Sequence, residues 1–178
     1  MTKGIAKPVQ LRALAIAIGV AGLVADQVAK TVVIATLDPL RPIPLLGGLV
    51  TLHLVRNPGA AFSMGEGFTV ALTVLAILAV IGVCAILLPR VRHSGWAVGT
   101  GLLIAGITGN LVDRLFREPS PFHGHVVDFI QLPYFAIFNV ADMCITAAAI
   151  IVIWLTAIAQ ISPAGVSMKD REKEPASE

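Results

Sequence analysis

The stretch FTVALTVLAILAVIGVCAILL, residues 68–88, contains no charged side chain. A bilayer core about 30 Å thick takes roughly 20 apolar residues per helical crossing. This run is therefore one membrane span, and the rest of the chain repeats its character. The 178 residues are 56% hydrophobic and 13% charged, with mean hydropathy +0.85, well above the usage of a water-soluble domain. A first apolar segment runs from Ala13 to Leu37, interrupted only by Asp26 and Lys30; a third runs from about Gly95 to Val112 and a fourth from about Ala141 to Ile161. Four spans fill the length and leave no room for a separate soluble domain. Residues 1–162 are expected to form one four-span membrane domain, and residues 163–178 a disordered cytoplasmic tail.

The basic residues set the expected orientation. With four spans, Lys3, Lys7, Arg12, Arg90, Arg92, Lys169, Arg171 and Lys173 share one side, whereas Arg41, Arg56, Arg114 and Arg117 lie on or near the other. Both termini are thus predicted to be cytoplasmic. The N-terminal basic residues before an apolar run also resemble a cleavable leader, but the apolar pattern continues past Ala25 instead of giving way to a soluble domain. No basic cluster interleaves with aromatics, which sets nucleic acid aside as a partner. Cys84 and Cys144 fall within apolar runs and read as packing residues.

Two outer connections are predicted, from Asp38 to Gly67 and from Arg114 to Phe138. The first contains a strand-like stretch, Leu49 to Val55, bounded by Gly47-Gly48 and Asn57-Pro58-Gly59. The unusual polar residues gather toward this outer side: Asp26 and Lys30 in the first span, Asn57 and Asp128 in the connections, Asn110, Asp113 and Arg114 closing the third span, and Asn139 and Asp142 opening the fourth. Asp26 and Lys30 are spaced for an ion pair on one helix face. Asn139 and Asp142 share a face at a helix start, where capping alone accounts for an acid.

Asp128 sits between Val127 and Phe129 with no basic residue between His125 and the tail. A carboxylate in such surroundings is unfavourable unless it is paired, hydrated or chemically employed. If the second outer connection folds back on the fourth span, Asp128 meets Asp142. Two adjacent carboxylates share a proton, which suits either an aspartic protease or a proton or ion relay. A metal site from His123, His125 and Asp128, a serine centre at Ser63, and a transporter with a polar path through the bilayer are the competing readings; HExxH and G-x-S-x-G contexts are absent.

Five motifs, DQVAK (26–30), NPGAAF (57–62), GNLVDR (109–114), GHVVDF (124–129) and FNVAD (138–142), occur in an order that resembles the lipoprotein signal peptidase family, signal peptidase II. The chain departs from that pattern at Ala29, Ala105 and Ile107, all on helix faces. The resemblance implies an all-α membrane protein of four transmembrane helices with a small extracytoplasmic β-cradle and a short outer helix. It implies an aspartic endopeptidase of the bacterial cytoplasmic (inner) membrane, with Asp128 and Asp142 as catalytic dyad, no cofactor and no metal. Asn57, Gly59, Asn110, Arg114 and Asn139 would orient dyad or substrate, with Asp26 and Lys30 in support. The implied substrates are diacylglyceryl-modified prolipoproteins held by membrane lipid and cut N-terminal to the lipidated cysteine. The implied inhibitor is the cyclic peptide globomycin.

Overall fold

The computed structural model describes residues 7–59 and 67–167. Among the described residues, four helices are long and apolar enough to cross a membrane: α1 (Pro8–Thr36), α2 (Gly67–Gly82, continued by a π-helical turn and a 3-10 turn to Arg90), α3 (Ser94–Phe116) and α4 (Val140–Ile153, continued by a π-helical turn to Ile158). Half of the most apolar stretch of α3 is buried, whereas the other three helices are exposed along most of theirs. The third span is thus the hub, packed against α1, α2 and α4.

The surface is greasy where a soluble protein would be polar. On α1, Ile16, Val20, Val24, Val28 and Val32 recur every four residues on the exposed face, while Leu11, Ala15, Gly19, Asp26, Lys30 and Val33 form the buried one. Without water outside, the apolar face turns to lipid and the costly polar pair turns inward. Helix contact then depends on small residues. A Cβ on Gly106 would lie 2.5 Å from the carbonyl oxygen of Ala141, so only glycine lets α3 and α4 approach this closely.

The first and third connections emerge at one end of the bundle and pair there. Strands β1 (Ile43–Leu45), β2 (Val50–Asn57) and β3 (Val126–Gln131) form an antiparallel sheet in that order. The register sets Val55 opposite Asp128 and Asn57 opposite Val126, with an irregularity between Leu52 and Val55. The strand expected at Leu49 to Val55 is present and runs on to Asn57; β3 was expected only as connection. Its Val127 and Phe129 pack with Leu54 and with Val33 of α1, and strand alternation turns Asp128 to the other face. Phe138 bridges back onto Ile130, delivering the chain to the start of α4. On this side, the helical turn described outside the spans is the 3-10 turn Leu46–Gly48.

At the opposite end, Arg12 donates to the carbonyl of Pro89, and the backbone N–H of Arg92 donates to Pro163 at 2.8 Å. Trp96 Nε1 donates to Ile161 O at 2.9 Å. Pro163–Ser167, at the start of the predicted tail, therefore turn back against the α2–α3 connection. Ala60, Ala61, Phe62 and Ser63, and the tail from Met168, lie outside the described residues.

Candidate active site

The sheet, the end of α3 and the start of α4 enclose Asp128 and Asp142. Asp128 is 3% exposed, and Asp142 heads α4 in a reciprocal capping box with Asn139. Asp142 Oδ2 accepts from Asn139 N at 3.2 Å, and Asn139 Oδ1 accepts from Asp142 N at 3.0 Å. The capping role foreseen for Asp142 is real, yet it occupies one carboxylate oxygen. The other accepts from Asn110 Nδ2 at 2.8 Å.

Three asparagines aim amide N–H groups at the two acids, and each is held in that orientation by its own oxygen. Asn57 Nδ2 donates to Asp128 Oδ2 at 2.9 Å, while Asn57 Oδ1 accepts Gly59 N at 2.9 Å. Asn139 Nδ2 donates to Asp128 Oδ1 at 2.6 Å and to Asn110 Oδ1 at 3.1 Å. Asn110 Oδ1 also accepts from Lys30 Nζ at 3.0 Å. An amide whose oxygen faces an ammonium or a backbone N–H must present its NH2 to the other side. Gly59 serves this order through its backbone: at φ +111 it takes a conformation that side chains avoid.

Beneath lies a buried charge cluster. Lys30 and Asp26 are fully buried, and Lys30 Nζ meets Asp26 Oδ2 at 2.9 Å and Asp113 Oδ2 at 2.7 Å. With Asn110, these partners take all three ammonium protons. Arg117 Nε reaches Asp113 Oδ1 at 2.6 Å, so two cations balance two carboxylates. Asp26 Oδ1 also accepts the backbone N–H of Ala141 at 2.9 Å, and Asp113 Oδ2 that of Val127 at 3.1 Å. The cluster thus grips the neighbours in sequence of both candidate acids. The Asp26–Lys30 pair expected from helix spacing is only its first edge.

Three participants were not singled out from sequence: Asp113 as a hub, Arg117, and Gln27. Gln27 Nε2 donates to Gly109 O at 3.0 Å and to Asp113 Oδ1 at 3.3 Å, and Gln27 Oε1 accepts from Arg117 at 3.3 Å. The spacing of Asp113 and Arg117 is that of a helical ion pair, a signal the sequence did contain. Arg114 stands differently. Its guanidinium donates to the Asn110 carbonyl at 3.4 Å and lies within electrostatic reach of Asp142 and Asp128. It borders a crevice of about 260 Å³ between α2 and α3 that Asn110 also lines.

Burial pushes the Asp128 carboxyl up from 3.8 to about 6, and the charge of Asp142 adds to the rise; the Asn57 and Asn139 amides and Lys30 oppose it. Beside Asp142 opens an apolar groove of about 500 Å³ lined by Leu132, Phe135, Phe138, Met143 and Ile150. His123 is turned toward Ser120 and the Pro121 carbonyl, and both Asp128 oxygens are taken by asparagines.

Residues 18–158 match the family described as Signal peptidase (SPase) II. The chain is 46% identical over 149 residues to a lipoprotein signal peptidase of Rhodococcus jostii (strain RHA1), covering 84% of this chain and 75% of that one. It is 42% identical over 149 residues to the lipoprotein signal peptidase of Mycobacterium avium (strain 104), covering 84% and 81%. Among solved structures, a bacterial membrane enzyme determined in meso at 2.3 Å resolution superposes with TM-score 0.72 at 25% identity, covering 92% of this chain and 93% of that one. A second, at 1.9 Å resolution, gives TM-score 0.71 at 27% identity, covering 81% and 92%. With the four spans and the small sheet already described, the match over most of its length makes this chain a member of the signal peptidase II family, membrane proteases that remove signal peptides from lipoproteins.

Proposed function

We propose that the chain is an aspartic endopeptidase in which Asp128 and Asp142 act together on diacylglyceryl-modified prolipoproteins, cutting N-terminal to the lipidated cysteine. The observation that carries this reading is the set of asparagine amides pinned toward both carboxylates, with Asn139 touching each of them. Such a frame holds two acids close together while leaving their protonation to each other. With Asp128 raised to about 6 by burial, the pair retains a shared proton up to about pH 6.

The ionised member then takes a proton from water as its oxygen attacks the scissile carbonyl carbon. The protonated member hydrogen-bonds the carbonyl oxygen as charge develops there. Collapse of the tetrahedral intermediate breaks the C–N bond, and the departing amine of the lipidated cysteine takes a proton from the dyad. The apolar groove beside Asp142 suits a substrate whose acyl chains stay in the bilayer, and Arg114 lies where it can orient the peptide backbone. Lys30 and Asp26 act through Asn110 and the backbone of Ala141 as positioning residues.

In this reading the sheet end faces outward from the bacterial cytoplasmic membrane, and both termini and the 163–178 tail are cytoplasmic. Residues 1–162 make up the peptidase domain. Globomycin is expected to block cleavage by occupying the space between the two acids.

The test is cleavage of a diacylglyceryl prolipoprotein by protein reconstituted in lipid, followed by gel shift, for wild type, Asp128→Asn and Asp142→Asn, each with and without a chelator. Chelator-resistant cleavage abolished by both substitutions in folded protein supports the dyad. Cleavage that survives either substitution sinks it, and loss with chelator alone redirects attention to His123 and His125.

A further inference from the structure

At the end of the bundle away from the dyad, the Arg90–Arg92 connection and the turned-back Ser162–Val166 segment enclose a cavity of about 540 Å³. Its lining carries two arginines and no acid among the described residues. Arg90 and Arg92 are exposed. One N–H of Arg90 is used on the Ile86 carbonyl, leaving most of the guanidinium's five donors directed elsewhere. Arg12 on α1 adds a third cation beside the wall through its bond to Pro89. The cavity lies at the level where the spans end, which is headgroup depth.

Arg90 also lines a second hollow. This apolar groove of about 520 Å³ runs between α2 and α3 past Ala79, Gly82, Ile86, Leu103 and Ile107. From Arg90 to Ala79 the helix rises roughly 16 Å, about half of a 30 Å hydrocarbon core. The groove is therefore as deep as one leaflet. Gly82 forms an open part of it, since a Cβ there meets no atom within 4 Å.

A cationic cavity at headgroup level joined through one arginine to an apolar groove one leaflet deep has the shape and polarity of a single amphiphile. We infer that an anionic glycerophospholipid occupies this site, its phosphate on Arg90 and Arg92 and one acyl chain along the α2–α3 groove. Basic pockets beside membrane helices recognise such headgroups through charge and guanidinium donors. The site is separate from the proteolytic centre and would hold a resident lipid, because nothing in the cavity or groove supplies chemistry to cleave one.

The experiment is lipid retention by the full chain, measured by native mass spectrometry after equilibration with phosphatidylglycerol or phosphatidylcholine of matched chains. The variants are wild type, Arg90→Gln/Arg92→Gln and Gly82→Leu; the last fills the groove at a helical position with open space. Expected is a preference for phosphatidylglycerol of about tenfold or more in wild type, lost in the double arginine variant, and weaker retention of both lipids in Gly82→Leu, with unfolding temperatures close to wild type. Equal retention of the two lipids by wild type overturns the inference, as does a preference that survives the arginine substitutions. Displacement of phosphatidylglycerol by soluble glycerophosphate, or unaltered retention in Gly82→Leu, shows a free-anion site and overturns the lipid assignment.

Discussion

Asp113 Oδ2 accepts the backbone N–H of Val127 at 3.1 Å, so the third span grips β3 one residue before Asp128. The same carboxylate neutralises buried Lys30 and ties Arg117. Asp113→Asn keeps an acceptor for Val127 but removes the charge that Lys30 faces. Breaking a buried ion pair from one side costs about 3 to 5 kcal/mol. Thermal unfolding in detergent is expected to show a large loss for Asp113→Asn and a much smaller one for Arg117→Ala, whose partner pair is partly open to solvent. Equal melting of Asp113→Asn and wild type would mean that the Asp113 charge is not what stabilises buried Lys30.

Lys30 offers a check on the charge balance. Lys30→Met leaves Asp26 and Asp113 buried with one cation between them. Adding Asp26→Asn keeps the amide oxygen that Ala141 N requires and removes the excess charge. The double variant is expected to unfold at a higher temperature than Lys30→Met alone, by roughly 2 kcal/mol of recovered stability. A double variant less stable than the single one would show the pair to be independent.

The asparagine orientations predict a distinct kinetic signature. Asn110→Asp retains size and an acceptor for Lys30 but exchanges the N–H facing Asp142 for a carboxylate oxygen. Losing one well-placed donor typically lowers kcat by about 100- to 1,000-fold, and the added negative charge works in the same direction. Steady-state kinetics on the lipidated substrate should show that fall in kcat with a much smaller change in KM. A pure KM effect would reassign Asn110 to substrate binding.

Much of this arrangement is legible in the sequence, and the illegible part has a physical cause. The spans follow from apolar runs such as residues 68–88, since hydrocarbon thickness alone sets their length. Asp26 and Lys30 declare their pairing by helical spacing. Val126–Gln131 does not declare itself a strand: its four buried residues in succession erase the period-two signal, and its partner β2 lies more than sixty residues away. The asparagine orientations are likewise hidden, because they depend on Lys30, Gly59 and the α4 N-terminus arriving together from separate segments. Asp113 and Arg117 were visible as a helical pair, but their burial and their hold on Val127 were not.

Asp128 gives a pH dependence with a defined sign. Its carboxyl is raised from 3.8 to about 6 in the folded protein, chiefly by burial. Between those values the folded state holds a proton that the unfolded state releases, so stability falls as pH rises. The contribution is fully present below about 4 and is lost as pH rises through about 6, a change on the order of 3 kcal/mol. Unfolding temperatures of wild type relative to Asp128→Asn are expected to decline across that window and level off above it. The same titration places an alkaline limb near 6 in kcat/KM, where the dyad loses its shared proton. A lipidated substrate that excludes water from the dyad moves the limb in kcat to higher pH. A pH-independent stability difference between the two proteins would remove the basis for the shared proton.

Gly109 tests how closely the helices must approach for the dyad to form. A Cβ there would fall 2.7 Å from Asp26 Oδ2 and 2.9 Å from the Ala141 side chain. Both neighbours are fully buried, so neither can move without displacing the start of α4. Overpacking of this kind costs about 1 to 3 kcal/mol. Because Ala141 precedes Asp142 and Asn110 follows Gly109, the displacement falls on the Asn110–Asp142 bond as well. Gly109→Ala is expected to lower kcat by more than tenfold while leaving a folded protein with a reduced unfolding temperature. Gly82→Ala on the open face of α2 is the control, since its Cβ meets nothing and alanine favours the helix by about 1 kcal/mol. If the two variants behaved alike, close approach of the first, third and fourth spans would not be what sets the geometry of the site.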